Sequence, residues 1–153
     1  MKKSIAIFSS NPHAYAPQRL AEEAEKKGFS AIIFGYQEID LYFPSKGKKK
    51  IFLRGEEMTK PPWGAIFRSS RNPNHIFTTQ RDCLLNFFLQ QKTIVLNQSV
   101  YQRWSVLDKI TEHLILSQKG LPIATSWVFG SPLRLEEKIK LPAVLKFYLG
   151  SHG

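Results

Sequence analysis

The sequence holds little of what would place it in an oxidising or membrane setting. It has one cysteine, Cys83, in 153 residues, which excludes an intrachain disulfide. The apolar neighbours of that thiol mark it as a small buried hydrophobe rather than a nucleophile. No run approaches the ~20 consecutive apolar residues that a membrane-spanning helix needs. Met1-Lys2-Lys3 leads into neither the apolar core nor the small-residue cleavage site of a signal peptide. A cytoplasmic protein without a membrane partner is the expectation. Phe8-Ser9-Ser10-Asn11-Pro12-His13 lacks the glycine fingerprint that follows the first strand of a plain Rossmann-like nucleotide-binding domain. His13, His75, His113 and His152 lack metal-ligand spacing. Trp63, Trp104 and Trp127 do not alternate with basic residues as a base-stacking platform requires, so they read as core or interface residues.

Acid is scarce as well: 12 Asp and Glu stand against 22 Lys and Arg, a formal net charge of +10. Such a balance favours anionic partners, whether nucleic acid, nucleotide phosphates or an acidic peptide, without choosing among them. Lys46, Lys48, Lys49 and Lys50 form the one dense basic run, whose plain reading is a solvated loop or strand end.

What is present is apolar patterning with turn signals. At 42% hydrophobic and 12% aromatic residues, the chain can bury a core as one domain or two small ones. Residues 4–8 read as a strand, 15–27 as a helix with Leu20, Ala21 and Ala24 on one face and Gly28 as its stop, and 31–34 as a second strand. Strand, helix and strand in that order predict an α/β fold with a mainly parallel sheet and the 4–8 strand at its centre. Two short strands, 39–43 and 51–53, join through a turn at 45–47. A strand at 64–68 precedes a helix capped by Thr78 or Thr79 and running to residue 91, with Cys83, Leu84, Phe87 and Phe88 as its apolar stripe, and 93–96 completes the sheet. The organisation changes after Asn97, giving domains 1–97 and 98–153. The second holds a helix at 105–119 that buries Leu107, Ile110, Leu114 and Ile115 and stops at Gly120. A strand at 125–129, a short helix at 133–140 and a strand at 143–148 follow.

In open α/β sheets ligands gather beyond the carboxyl ends of the strands. Ser9, Ser10, Asn11, Arg68 and Arg71 lie at such ends, and a guanidinium can grip a carboxylate through two hydrogen bonds. Arg68 and Arg71 are therefore candidates for binding an acidic acceptor, with plain surface arginines as the alternative. Lys146 sits on the last strand, four residues before Gly150-Ser151-His152-Gly153. Glycines let backbone N–H groups approach phosphate oxygens and the lysine adds a point charge, which suits ATP; a lysine beside a surface turn is the plainer reading.

Five short motifs in register go further: Leu96-Asn97 with Ser99, Asp108-Lys109, Lys119-Gly120-Leu121-Pro122 with Thr125, Pro142-Ala143-Val144-Leu145-Lys146, and Gly150-Ser151 with Gly153. In this order and approximate spacing the chain resembles the RimK-like ATP-grasp ligases, the ribosomal-protein glutamate-ligase type, over residues 4–153 and most closely from residue 96 onward. The resemblance implies a Rossmann-like pre-ATP-grasp domain followed by the first part of an ATP-grasp α+β subdomain, truncated at the glycine-rich loop. It implies that Lys109 and Lys146 contact the ATP phosphates and that Gly150, Ser151 and Gly153 belong to the lid over them, with no catalytic residue in this stretch. The implied activity is an ATP-dependent carboxylate–amine ligase. A carboxylate acceptor, such as an acidic peptide or carrier protein, is phosphorylated, and an amine donor such as an amino acid displaces the phosphate, with Mg²⁺ as the companion of ATP. In that family the metal ligands and the adenine hinge lie on later strands, which are not in this sequence. The chain alone is thus expected to be inactive, and its last strand to offer an open edge for a second copy. The rival from another class is a non-catalytic basic α/β module that binds nucleic acid or an acidic protein, with an affinity that depends on the lysine run and falls steeply with salt.

Overall fold

The computed structural model of the chain describes residues 2–45, 49–68, 76–104, 108–128 and 141–144. Two units emerge, residues 1–105 and 106–153. In the first, the order is β1 (Ser4–Ser9), α1 (Tyr15–Lys26), β2 (Ser30–Gly35), a 3-10 turn over Tyr36–Glu38, β3 (Ile39–Tyr42), β4 (Lys50–Leu53), β5 (Glu56–Glu57), β6 (Gly64–Phe67), α2 (Ile76–Gln90), β7 (Ile94–Val95) and α3 (Gln98–Arg103).

The main sheet has the order β2-β1-β6-β7 and every pairing in it is parallel, with β1 inside, as the strand and helix alternation predicts. A parallel sheet is covered on both faces, and the side chains of β1 divide accordingly. Ala6 and Phe8 enter a core shared with Leu84, Leu85 and Phe88 of α2. Ile7, also fully buried, turns to the opposite face, where α1 packs on β1 and β2. Phe8 stacks on Phe34 at 5.6 Å and on Phe67 at 5.3 Å, in register across three strands, and Phe88 tilts against it at 5.7 Å. Gly28, at φ +83°, ends α1 as expected, because the N–H of Phe29 reaches back to Ala24 O only through a left-handed residue.

A separate antiparallel sheet, β3-β4-β5, follows β2. The link between β3 and β4 passes through residues 46–48, so the predicted turn after Ser45 and two of the four lysines of the run, Lys46 and Lys48, lie outside the described residues. Strand β5 was not expected. It forms because Arg54 and Gly55, both at positive φ, make the two-residue turn that suits a hairpin.

Helix α2 begins at Ile76, before the predicted caps Thr78 and Thr79. In its first described turn Phe77 stacks on Tyr36 at 5.6 Å. Its buried residues are Arg81, Leu84, Leu85 and Phe88, and Cys83 is only half-buried. Helix α3 was also missed. Asn97 enters it in the left-handed conformation, and Tyr101 packs edge-on against Phe67 at 5.9 Å. That contact lies within the first unit.

In the second unit, α4 (Lys109–Gln118) is capped by Asp108, whose Oδ1 accepts from the N–H of Thr111 at 2.7 Å, and it stops at Gly120, φ +66°. The expected apolar stripe is not buried among the described residues: Leu114 is 53% exposed and Ile110 39%. A stripe is buried only by an element packed on it, and residues 121–128 form neither helix nor strand. The strand predicted from residue 125 is absent over 125–128, and residues 143–144, the described start of the last predicted strand, are not in a strand. The predicted helix at 133–140, Leu107 and residues 145–148 lie outside the described residues.

Strand β2 is an edge, and it is closed chemically. The N–H of Ser30 points to Lys3 O, so by alternation Ala31, Ile33 and Gly35 turn their polar groups outward. Arg54 Nη2 donates to Ile33 O at 2.9 Å and the N–H of Gly35 donates to Glu38 Oε2 at 2.8 Å, while Arg54 and Glu38 pair at 3.1 Å. The hydrogen bond from Arg54 holds the Glu38 carboxyl below the usual carboxylate range, helped by the Gly35 N–H. A depressed folded pKa contributes stability above the ordinary glutamate value of 4.5, and that contribution is lost as pH falls through the folded value. Arg54→Ala should open the β2 edge and raise self-association in light scattering, and Glu38→Gln should remove part of the acid sensitivity. A monodisperse Arg54→Ala chain would show that the ion pair does not guard the edge. In the core, Phe88→Ala should cost about 3–5 kcal/mol in urea unfolding.

Candidate functional site

The carboxyl ends of β1 and β6 meet, since the N–H of Arg68 donates to Phe8 O at 2.7 Å. The loop after β1 is self-contained. Ser9, buried, donates its hydroxyl to Asn11 O at 3.1 Å and accepts from the N–H of Asn11 at 3.2 Å, and Asn11 Oδ1 accepts from the N–H of His13 at 3.1 Å. These side chains shape the turn into α1. Ser10 is half-buried. Arg68 is exposed and has no carboxylate partner among the described residues, whereas Arg19, Arg54 and Arg81 each pair with one. Arg71 lies outside the described residues.

Around Arg68 stand residues that the sequence reading missed. Tyr36, fully buried, donates its hydroxyl to Arg68 O at 3.4 Å, and Tyr101 donates to Phe67 O at 2.8 Å. Arg81, only 6% exposed, has its guanidinium carbon 5.0 Å from the centre of the Tyr101 ring and binds Asp82 Oδ1 through Nε at 3.1 Å and Nη2 at 2.8 Å. A buried guanidinium is tolerable only when paired, and a desolvated cation over an aromatic ring gains about 2 kcal/mol. The pattern held a signal: Arg81 occupies the first place of the i, i+3, i+4, i+7 stripe completed by Leu84, Leu85 and Phe88. A charge on an apolar stripe implies a buried partner.

The second unit carries Lys109 as the first residue of α4, half-buried, with Asp108 committed to the cap. His113 Nδ1 lies 2.9 Å from the Lys109 carbonyl oxygen, which suits the tautomer protonated at Nδ1. Lys146, Gly150, Ser151 and Gly153, the other expected phosphate contacts, lie outside the described residues. Among the described residues no three His, Cys, Asp or Glu side chains are grouped to hold a metal ion, and no helix is long and apolar enough to cross a membrane. An open groove of about 340 Å³ runs between Ile32 and Phe34 of β2 and Leu53 and Met58, but its arginine, Arg54, is already paired with Glu38.

Burial pushes the phenols of Tyr36 and Tyr101 up, against the lowering effect of the Arg81 charge. The sign follows: a raised folded pKa contributes stability that is fully present below the ordinary tyrosine value of 10.0 and is lost as pH rises beyond it. Ultraviolet titration should show Tyr36 ionising only as the chain unfolds at high pH, and Tyr36→Phe should flatten that alkaline loss. A Tyr36 phenol that titrates near pH 10 in the folded chain would contradict its burial.

No protein-family model matches the chain. It is 31% identical to a protein of Chromohalobacter salexigens named probable alpha-L-glutamate ligase, over 97% of this chain and 48% of that protein. It is 26% identical, with the same shares covered, to the protein so named in Saccharophagus degradans. Among solved structures, the ATP-grasp ligase PsnB complexed with minimal precursor superposes with a TM-score of 0.57 at 18% identity, covering 90% of this chain and 50% of that one. The macrocyclase MdnB from Microcystis aeruginosa superposes at 0.54 and 18%, covering 88% and 57%. These structural likenesses carry the fold alone. The chain is thus similar to probable alpha-L-glutamate ligases over nearly its whole length, and it spans about half the length of the curated relatives it matches.

Proposed function

We propose that this chain is part of an ATP-dependent ligase that joins a carboxylate to an amine. A carboxylate oxygen attacks the γ-phosphorus of ATP, releasing ADP and leaving an acyl phosphate; the amine nitrogen then attacks the acyl carbon, loses its proton and expels phosphate. Both steps depend on positioning and on neutralising charge, work suited to lysines and backbone N–H groups. The observation that carries the reading is the similarity to probable alpha-L-glutamate ligases over 97% of the chain. Residues 1–97 take the part of the pre-ATP-grasp domain and 98–153 that of the start of the ATP-grasp domain. Lys109 faces the nucleotide phosphates, together with Lys146, Gly150, Ser151 and Gly153, and Mg²⁺ accompanies ATP. PsnB, which shares the fold, has been solved with a minimal precursor, Mg and ADP together. Here the acceptor is an acidic peptide or carrier protein held near Ser9, Ser10, Asn11, Arg68 and Arg71, and the amine comes from an amino acid. The net charge of +10 would draw such an acceptor in.

The adenine pocket and metal ligands are not among the residues assigned here, so calorimetry of this chain with Mg-ATP should show no submicromolar site. Lys109→Ala should weaken the residual binding about tenfold. A submicromolar constant, or no change on Lys109→Ala, would contradict the assignment. Polyanion binding that depends on the Lys46 to Lys50 run and falls steeply with salt, with no effect of ATP, would favour the basic binding module instead. Val144, 80% exposed, makes self-association through residues 143–148 part of the same reading, to be checked by light scattering.

A further inference from the structure

Strand β6 ends just before Arg68, and the last two carbonyls there are not left to water. Tyr101 donates its hydroxyl to Phe67 O at 2.8 Å and Tyr36 donates to Arg68 O at 3.4 Å. Each ring is itself fixed. Tyr36 stacks on Phe77 of α2, and Tyr101 of α3 lies between the Phe67 ring and the buried Arg81 guanidinium, which Asp82 holds in turn. On the other side, the N–H of Arg68 is bound to Phe8 O at 2.7 Å. The whole backbone of Arg68 is thus fastened, by a strand, a turn and two helices, while its side chain is exposed and without a carboxylate partner among the described residues. A solvent-facing strand end needs no such provision, because water satisfies its carbonyls and spares two phenols from desolvation.

We infer that Tyr36 and Tyr101 are positioning residues for Arg68, holding its backbone so that its exposed side chain is presented to a carboxylate of an acidic peptide. The inference rests on the acceptor role proposed for Arg68. A two-pronged grip on a carboxylate is directional, so a fixed backbone sets where the fork can point and removes part of the ordering cost of binding. Arg81 does not serve as a second contact: it is buried and paired with Asp82, and it acts by holding the Tyr101 ring.

The test is a double-mutant cycle on the 153-residue chain, with triglutamate as the probe and triglutamine as the control for charge, followed by NMR titration at fixed salt. Arg68→Ala should weaken triglutamate about tenfold, and Tyr101→Phe or Tyr36→Phe about threefold. In the Arg68→Ala background the tyrosine substitutions should cost nothing more. A Tyr101→Phe loss of equal size with and without Arg68 would overturn the inference. Order at the Arg68 Nε–H, read by heteronuclear NOE in the free chain, tests the clamp apart from the ligand: it should drop in Tyr101→Phe, and an unchanged value overturns the clamp. Unchanged triglutamate affinity in Arg68→Ala overturns the acceptor role instead, and with it the ligand named here. Should one phenylalanine variant fail to fold, the other makes the same comparison.

Discussion

The stacking of Phe8 against Phe34 and Phe67 is the contact on which the first unit depends. It joins three neighbouring strands on one face, and Phe88 brings α2 onto the same rings. Phe8 is fully buried, and removing so large an apolar surface from water contributes roughly 2–3 kcal/mol before the ring contacts are counted. Because the three phenylalanines sit in register, the stack also fixes how the strands align. A slip of one residue would send every one of these side chains to the opposite face.

That alignment decides where the polar groups at the carboxyl end of the sheet come to rest. With Phe8 beside Phe67, the next residue of β1 is the buried Ser9 and the residue after β6 is Arg68. The apolar core therefore sits directly beneath a polar layer built from Tyr36, Arg68, Arg81, Asp82 and Tyr101. These residues come from a turn, a strand end and two helices. In that layer Arg81 is costly to bury, and its two hydrogen bonds to Asp82 and the Tyr101 ring offset the loss of water.

The second unit shows the opposite situation. Helix α4 has a sound cap at Asp108 and a sound stop at Gly120, so its existence follows from local chemistry. Its Ile110 and Leu114 side chains nevertheless stay exposed, as do Trp127 at 58% and Val128 at 64%. Local signals can make a helix, but only another packed element can bury it.

By itself the sequence determined the parallel α/β order of the first unit, the inside place of β1, the ends of α1, the stop of α4 at Gly120, and the strand-end position of Arg68. Each depends on near neighbours in the chain: apolar runs, turn residues, and glycines where φ must be positive. Only the tertiary structure decided that Tyr101 of α3 meets the Phe67 ring, that residues 125–128 are not a strand, and that two tyrosines close over the carbonyls of Phe67 and Arg68. Those outcomes join residues 32 and 34 positions apart, as in the hydrogen bonds from Tyr36 to Arg68 and from Tyr101 to Phe67. Hydrophobic periodicity reports which face of an element is buried and not which residue meets it there, so a contact between distant segments is fixed only when the sheet has brought them together.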